Sequence, residues 1–194
     1  MPRGGLSPAI VTEAAAAIVD AHGLAALTLA RLAARLGVAP PSLYKHIGGQ
    51  DDLILRVSTL SLRWLNDALT TAAMARAGRA ALGSIAHAYR RFAIDHAGLY
   101  TLTQGPLRPD SDAQQTEARR VVAVFDAVIA SYGVPDALSV HAIRVVRASL
   151  HGFVDIEARG GFQLSQSVDE SFELVVEAAH GWLTGLCPHP SAEP

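Results

Sequence analysis

The chain has 194 residues, half of them hydrophobic, and a formal net charge of −2 at pH 7. The negative charge excludes a generally basic, non-specific nucleic-acid binder, and no run of about 18 apolar residues is present to span a membrane. The single cysteine, Cys187, excludes an intrachain disulfide and is typical of a reducing compartment. The first residues lack the apolar core of a signal peptide, so we expect a cytoplasmic protein.

The first predicted helix begins at Ser7-Pro8, with Ser7 as the N-cap and Pro8 in the first helical position. It ends at His22-Gly23. Helical spacing predicts a buried stripe of Ile10, Ala14, Ala17, Ile18 and Ala21. Arg3 precedes the helix, where it would either touch a phosphate group or lie in solvent.

Residues 28–47 predict two short helices that meet at Gly37. Thr28 is expected to cap the first helix, and Gly37 to end it in the left-handed conformation. Since a residue before proline avoids the α region, Pro40 is the predicted N-cap of the second helix and Pro41 its first helical residue. The apolar positions that would join the two helices are Leu29, Leu32, Ala33, Leu36, Leu43 and Ile47. This is a helix-turn-helix, whose second helix enters the major groove of DNA.

The second of these helices carries side chains that suit DNA. Tyr44 can donate to a phosphate and lay its ring on a thymine methyl group, and Lys45 can bond guanine or phosphate. His46 can reach a phosphate or a base edge. The alternative for each is packing against the preceding helix, and we favour DNA contact. The full predicted DNA-binding set is Thr28, Pro40, Pro41, Ser42, Tyr44, Lys45, His46 and Gln50. Residues 1–50 hold four basic and two acidic side chains, so the local charge agrees.

The run LARLAARLGVAPPSLYKHIGGQDDL, residues 29–53, resembles the DNA-binding domain of the TetR/AcrR repressors. Two positions depart from that pattern: Ala39 stands where the family often has serine, and Gln50 where it often has a basic residue. The resemblance implies a homodimeric regulator that binds palindromic double-stranded DNA.

The rest of the chain shows helical periodicity and no strand-like alternation, which predicts an all-α fold of about nine helices. The predicted helices after the DNA-binding motif cover residues 50–76, 79–96, 99–104, 113–132, 136–159 and 168–185. We expect a DNA-binding domain over residues 1–50, an effector-binding and dimerisation domain over 51–187, and a disordered tail over 188–194.

A second, weaker resemblance lies near the C-terminus. Leu150-His151-Gly152-Phe153, with the later segments Gly160-Gly161-Phe162 and Ser171-Phe172-Glu173, is similar to the WHG domain of one TetR subgroup over about residues 80–186. No tryptophan directly precedes His151. The resemblance implies that the chain dimerises through residues 136–159 and 168–185.

Aromatic side chains on the body helices are candidates for an effector pocket, and the alternative for each is ordinary core packing. The candidate set is Trp64, Tyr89, Phe92, Tyr100, Phe125, His151 and Phe153. Eight histidines occur, but none has the spacing of a metal site, and no nucleophile motif is present, so we expect no metal, cofactor or enzymatic activity.

Taken together, these features predict a homodimeric DNA-binding repressor that a small, largely apolar effector releases from its operator. One alternative is a helix-turn-helix regulator without an effector, or an activator. A less favoured alternative is an α-helical enzyme or binding protein with a vestigial DNA-binding motif.

Overall fold

The computed structural model describes residues 5–187, which form eight α-helices and two short 3-10 helices and contain no β-strand. The α-helices are α1 (Pro8–His22), α2 (Leu29–Leu36), α3 (Gln50–Ala73), α4 (Gly78–Asp95), α5 (Ala97–Thr103), α6 (Asp112–Ala130), α7 (Asp136–Ala158) and α8 (Val168–Gly185). The 3-10 helices are Leu24–Ala26 and Pro40–Lys45, and we call the latter the recognition segment. The predicted all-α class is confirmed. Arg3 and the predicted tail lie outside the described residues.

The chain folds as two compact units. The first contains the residues up to Leu65 together with Asp95–Ala118, and the second contains Asn66–Ile94 together with the residues from Arg119 onward. The chain passes from one unit to the other within α3, α4 and α6. The predicted boundary at residue 50 divides the chain by function, into a DNA-binding and an effector domain, whereas these units are defined by packing. The predicted boundary therefore stays a prediction.

None of the described helices is long and apolar enough to cross a membrane. This finding does not test the cytoplasmic location, which stays a prediction from the sequence.

The core of the first unit forms where α1 meets the helix-turn-helix and α5. Its fully buried members include Val11, Ala15, Ile18, Val19, Leu32, Leu43, Leu53 and Leu99. The predicted stripe on α1 is correct at Ile18 and at Ala14, which packs against this core, whereas Ala17 is only half-buried. The stripe is wrong at Ile10, which is 40% exposed, and at Ala21, which is exposed. The alanine run at residues 14–17 makes neighbouring stripes almost equally apolar, so periodicity could not distinguish them.

The helix ends follow most of the predicted capping rules. Ser7 caps α1, Thr28 caps α2, and Gly37 ends α2 with a left-handed φ of 68°. The prediction for the recognition segment needs two corrections: its N-cap is Ala39, with Pro40 as its first residue, and it is a 3-10 helix. Both consecutive prolines lie at the start of the turn, where neither needs to donate a backbone hydrogen bond.

The end of α3 and the start of α7 differ from prediction. Helix α3 ends at Ala73 because the chain turns at Ala75, whose φ of 56° is left-handed. Asp136 is the first residue of α7, and Pro135 occupies the N-cap position that we predicted for Asp136.

In the second unit, α4 buries the side chains predicted to face inward, which are Leu82, Ile85, Ala86, Tyr89 and Phe92. Arg90 joins three helices: it donates to Glu157 of α7 at 2.6 Å and pairs with Asp169 of α8 at 2.7 Å. The hydrogen bond to Glu157 raises the pKa of the Arg90 guanidinium. Arg90 also lies 4.8 Å from the centre of the Phe172 ring, so the α4, α7 and α8 contacts meet at this side chain.

Candidate nucleic-acid interface

The recognition segment is fixed within the first unit by two buried apolar side chains. Leu43 is fully buried, and Ile47, which follows the segment, is 4% exposed. The backbone N–H groups of His46 and Ile47 both donate to the Leu43 carbonyl, at 2.8 and 3.1 Å. The segment is therefore held at its middle and end by buried residues.

The 3-10 geometry explains which side chains are exposed. A 3-10 helix has three residues per turn, so residues i and i+3 lie in one column. His46 follows Leu43 in the inward column and is half-buried. Tyr44 lies in the column of Pro41 and is 61% exposed, and Lys45 lies in the column of Ser42 and is also exposed. Pro40 and Pro41 are exposed as well, so Tyr44 and Lys45 are the exposed side chains of the segment that can form hydrogen bonds with a partner.

Thr28 has a structural role at the start of α2. Its Oγ1 atom accepts a hydrogen bond from the backbone N–H of Arg31 at 3.1 Å. Because the residue is exposed, the hydroxyl group can still donate to a phosphate oxygen while it caps the helix. Capping and phosphate contact are therefore compatible at this position.

Gln50 makes a long-range contact that the sequence did not predict. Its Nε2 atom donates to the carbonyl of Leu27 at 2.5 Å, across 23 positions of the chain. The bond ties the first residue of α3 to the residue before the cap of α2. One amide hydrogen is therefore committed to the fold, and the other remains for any contact with DNA.

The acidic start of α3 is partly neutralised. Asp52 Oδ2 accepts from the backbone N–H of Gly48 at 2.7 Å and from Arg56 Nε at 2.9 Å. The carboxylate thereby closes the turn after the recognition segment. Asp51 is exposed, so one carboxylate remains to repel phosphates that approach this helix end.

Two arginines of α2 were left out of the predicted set. Arg31 and Arg35 are both exposed and lie four residues apart, so they share one face of the helix. That spacing was visible in the sequence. It makes both side chains further candidates for contact with the phosphate backbone.

The predicted effector residues divide between the two units. Trp64 and Tyr100 belong to the first unit, and the other five belong to the second. Tyr89 and Phe125, 1% and 0% exposed, pack edge to face with ring centres 6.2 Å apart. His151 is half-buried on α7. That these seven residues line an effector pocket stays a prediction.

The described part of the second unit carries open surface grooves, two of which are large enough for a small ligand. The larger, about 570 Å³, is a groove between α7 and α8 whose lining includes Val145, Ser149, Gly152, Phe153, Ile156 and Trp182. The other, about 430 Å³, lies between the end of α3 and α6, and its lining includes Thr70, Met74, Arg120 and Val124.

Comparison with known families gives two matches that together span most of the chain. Residues 11–57 match the model described as "Bacterial regulatory proteins, tetR family". Residues 82–179 match the model described as "Tetracyclin repressor-like, C-terminal domain".

Individual relatives agree with these models. The uncharacterized HTH-type transcriptional regulator YobS of Bacillus subtilis is 30% identical over 186 residues, 95% of this chain and 95% of that protein. The uncharacterized HTH-type transcriptional regulator Rv0681 of Mycobacterium tuberculosis is 35% identical over 159 residues, 80% of this chain and 72% of that protein. Among solved structures, BioQ with its double-stranded DNA operator is 27% identical, with a TM-score of 0.62 over 91% of this chain and 99% of that chain.

Proposed function

Because this chain belongs to the TetR family of DNA-binding transcriptional regulators, we propose that it is a homodimeric repressor released from a palindromic operator by a small, largely apolar effector. The observation that carries the DNA-binding part is the exposure of Tyr44 and Lys45 on a segment anchored by buried Leu43. The relatives are regulators, so the expectation that the chain is not an enzyme is confirmed.

We propose that the recognition segment enters the major groove with Tyr44 and Lys45 towards the base edges. The Tyr44 ring packs on a thymine methyl group, and the Lys45 ammonium bonds guanine acceptors or a phosphate oxygen. Arg31 and Arg35 of α2, with Thr28 at its start, contact the phosphate backbone and fix the orientation. The structure of BioQ with its operator supports this use of the motif.

The exposed apolar side chains of α7 and α8 support a dimer through these helices. Val145 and Ile156 of α7 are 44% and 45% exposed, and Leu174 and Trp182 of α8 are 71% and 38% exposed. Exposed apolar side chains on two packed helices are typical of an association site. In the proposed dimer a second copy covers it, and twofold symmetry places two recognition segments against two half-sites about one helical turn apart.

The proposed switch acts through α3. This helix begins at Gln50, directly after the DNA-binding motif, and continues into the second unit. In one state of the proposed dimer the two recognition segments have the wrong spacing for the operator. An effector that binds only this state lowers the fraction of dimers that can bind the operator. Effector and operator would then weaken each other's binding by the same factor.

The DNA-binding proposal is tested by gel shift with the DNA upstream of the gene at fixed salt. Replacing Tyr44 or Lys45 by alanine should weaken specific binding by about 1–3 kcal/mol each. Arg91→Ala, which removes an exposed cation from α4, is the control and should bind as the wild type does. Unchanged binding by both Tyr44→Ala and Lys45→Ala would refute the assigned face.

The dimer is tested by sedimentation equilibrium. Leu174→Asp places a charge on the most exposed of these apolar side chains, and we expect a shift towards monomer. Leu164→Asp changes an 84% exposed leucine in the loop between α7 and α8 and is the matched control. A wild-type monomer at micromolar concentration would contradict the proposal.

A further inference from the structure

A groove of about 380 Å³ lies within the first unit, between the start of α1, residues 52–63 of α3 and the start of α6. Its volume falls in the range of small-molecule sites, about 300 to 1,000 Å³. In the described part of the chain, none of the seven predicted effector residues lines it. The groove is therefore distinct from the predicted effector pocket, and the proposed function gives it no role.

Two arginines of α3 line this groove. Arg56 and Arg63 are seven residues apart, which places them on one side of the helix. Each bonds a carboxylate through Nε, Arg56 to Asp52 at 2.9 Å and Arg63 to Glu117 at 3.1 Å. Among the described residues, the terminal nitrogens of these two arginines have no hydrogen-bond partner. Because the side chains are 38% and 53% exposed, an acceptor in the groove can reach those nitrogens.

The part of the groove formed by α1 carries the opposite charge. Glu13 lines the groove, is exposed and has no ion-pair partner within residues 5–187. The other carboxylate of the lining, Asp52, already accepts from the backbone N–H of Gly48 and from Arg56. Glu13 is therefore the acidic group of the lining that can pair with a cation of a ligand.

Apolar side chains complete the lining. Leu55 and Leu60 of α3 are half-buried, and Ale9 of α1 and Ala113 of α6 lie beside the groove with them. Covering these side chains removes apolar surface from water, which favours a ligand with hydrocarbon groups.

We propose that this groove binds a small zwitterion with apolar side chains, either a free amino acid or a short peptide. Its carboxylate accepts hydrogen bonds from the terminal nitrogens of Arg56 and Arg63, and its ammonium group pairs with Glu13. Its hydrocarbon groups pack on Leu55 and Leu60. Such a ligand joins α1 to α3, and both helices contribute to the core of the first unit, so binding stabilises that unit.

The test uses the full-length protein and two probes, leucine and leucyl-leucine, which distinguish an amino acid from a peptide. Each is compared with its N-acetyl form, which lacks the ammonium group, and with its C-terminal amide, which lacks the carboxylate. Glycine and glycylglycine keep both charges and lack the apolar side chains. Binding is measured by isothermal titration calorimetry and by thermal shift.

Three variants assign the contacts, and each is checked for its fold by circular dichroism. Glu13→Gln removes the acidic group, and Arg56→Gln and Arg63→Gln each remove one guanidinium group. Arg91→Gln changes an exposed arginine of α4 and is the control, which should bind the probes as the wild type does.

We expect at least one of the two zwitterions to bind the wild type and to raise its Tm. Its N-acetyl form, its amide and its glycine analogue should each bind about ten-fold or more weakly, as expected when a charge-assisted hydrogen bond or the apolar contact is lost. Glu13→Gln should weaken the zwitterion and leave the N-acetyl form unchanged. The two arginine variants should weaken the zwitterion and leave the amide unchanged, because each cycle isolates one pair of charges.

The inference is overturned if neither zwitterion binds at about 10 mM, or if the N-acetyl and amide forms bind as well as the zwitterions. A variant that weakens charged and neutral probes equally would contradict the contact assigned to that residue. If a variant does not fold, the comparison of probes on the wild type still decides the outcome. The experiment contains no DNA, so its result does not depend on the proposed function.

Discussion

Gly98 of α5 lies directly against the main chain of Val19 in α1. A Cβ atom on Gly98 would overlap the Val19 carbonyl oxygen and stand 2.9 Å from its carbonyl carbon. Beside this contact, Nδ1 of His96 lies 2.7 Å from Oδ2 of Asp20. The two helices therefore approach at backbone distance, and only a residue without a side chain fits at position 98.

The first prediction is that Gly98→Ala destabilises the protein. The added methyl group meets backbone atoms, which cannot move aside as a flexible side chain would, so we expect a loss of about 1–3 kcal/mol. Urea unfolding followed by circular dichroism measures it. Gly83→Ala in α4 is the matched control: a Cβ there meets nothing within 4 Å. This control should gain about 0.5–1 kcal/mol. Equal effects of the two changes would contradict the close approach.

The second prediction concerns the turn after α3. Ala75 has a φ of 56°, and the left-handed region costs a residue with a side chain about 1–2 kcal/mol. Ala75→Gly removes this strain, and the entropy that glycine loses on folding offsets about 0.5–1 kcal/mol of the gain. We expect a small rise in Tm. Ala80→Gly, at an exposed position within α4, should instead lower it.

The third prediction separates the two roles of Thr28. Thr28→Ala removes the cap of α2 and should cost about 1 kcal/mol of stability. If Thr28 also contacts a phosphate, the dependence of log K on log salt should become less steep by about one. Ser7→Ala removes the equivalent cap of α1 and is the control, with a comparable loss of stability and an unchanged salt slope. The readouts are urea unfolding and gel shifts at several salt concentrations.

The fourth prediction concerns Gln50. Gln50→Lys removes the bond to Leu27 and places a charge where the family often has a basic residue, so stability should fall by about 1 kcal/mol. Operator affinity at low salt should rise, with a salt slope steeper by about 0.9. Gln166→Lys adds the same charge to an exposed position between α7 and α8. If this control raised affinity equally, the gain would reflect net charge and not a contact at position 50.

The fifth prediction concerns alkaline pH. Burial raises the pKa of Tyr132 from 10.0 to about 12. The unfolded chain therefore loses this proton at a lower pH than the folded chain, so the stability that this group contributes is complete below pH 10 and is lost between pH 10 and about 12. Tyr132→Phe should weaken the fall in stability over that window, and Tyr44→Phe, at an exposed site, should not. Urea unfolding at stepped pH measures the difference.

The sequence predicted best those features that single residues determine. Ser7, Thr28 and Gly37 cap their helices as expected, because a capping side chain or a left-handed glycine acts within one turn of the chain. The form of the recognition segment was harder to predict. Six residues make too few hydrogen bonds to distinguish an α-helix from a 3-10 helix by pattern.

Contacts between distant residues could not be predicted in the same way. The bond from Gln50 to Leu27 joins positions that no local rule relates. The approach of Gly98 to Val19 likewise depends on how α5 packs on α1.

The two prolines that open the recognition segment have a consequence for how operator preference can change. Each proline ring fixes φ, so the backbone of the segment has few alternative shapes to give up when it docks. In the proposed complex with DNA, the side chains at positions 42, 44 and 45 can then be exchanged while the backbone of the segment keeps its shape. New base preferences could arise in this protein by substitution alone, while Leu43 continues to hold the segment in place.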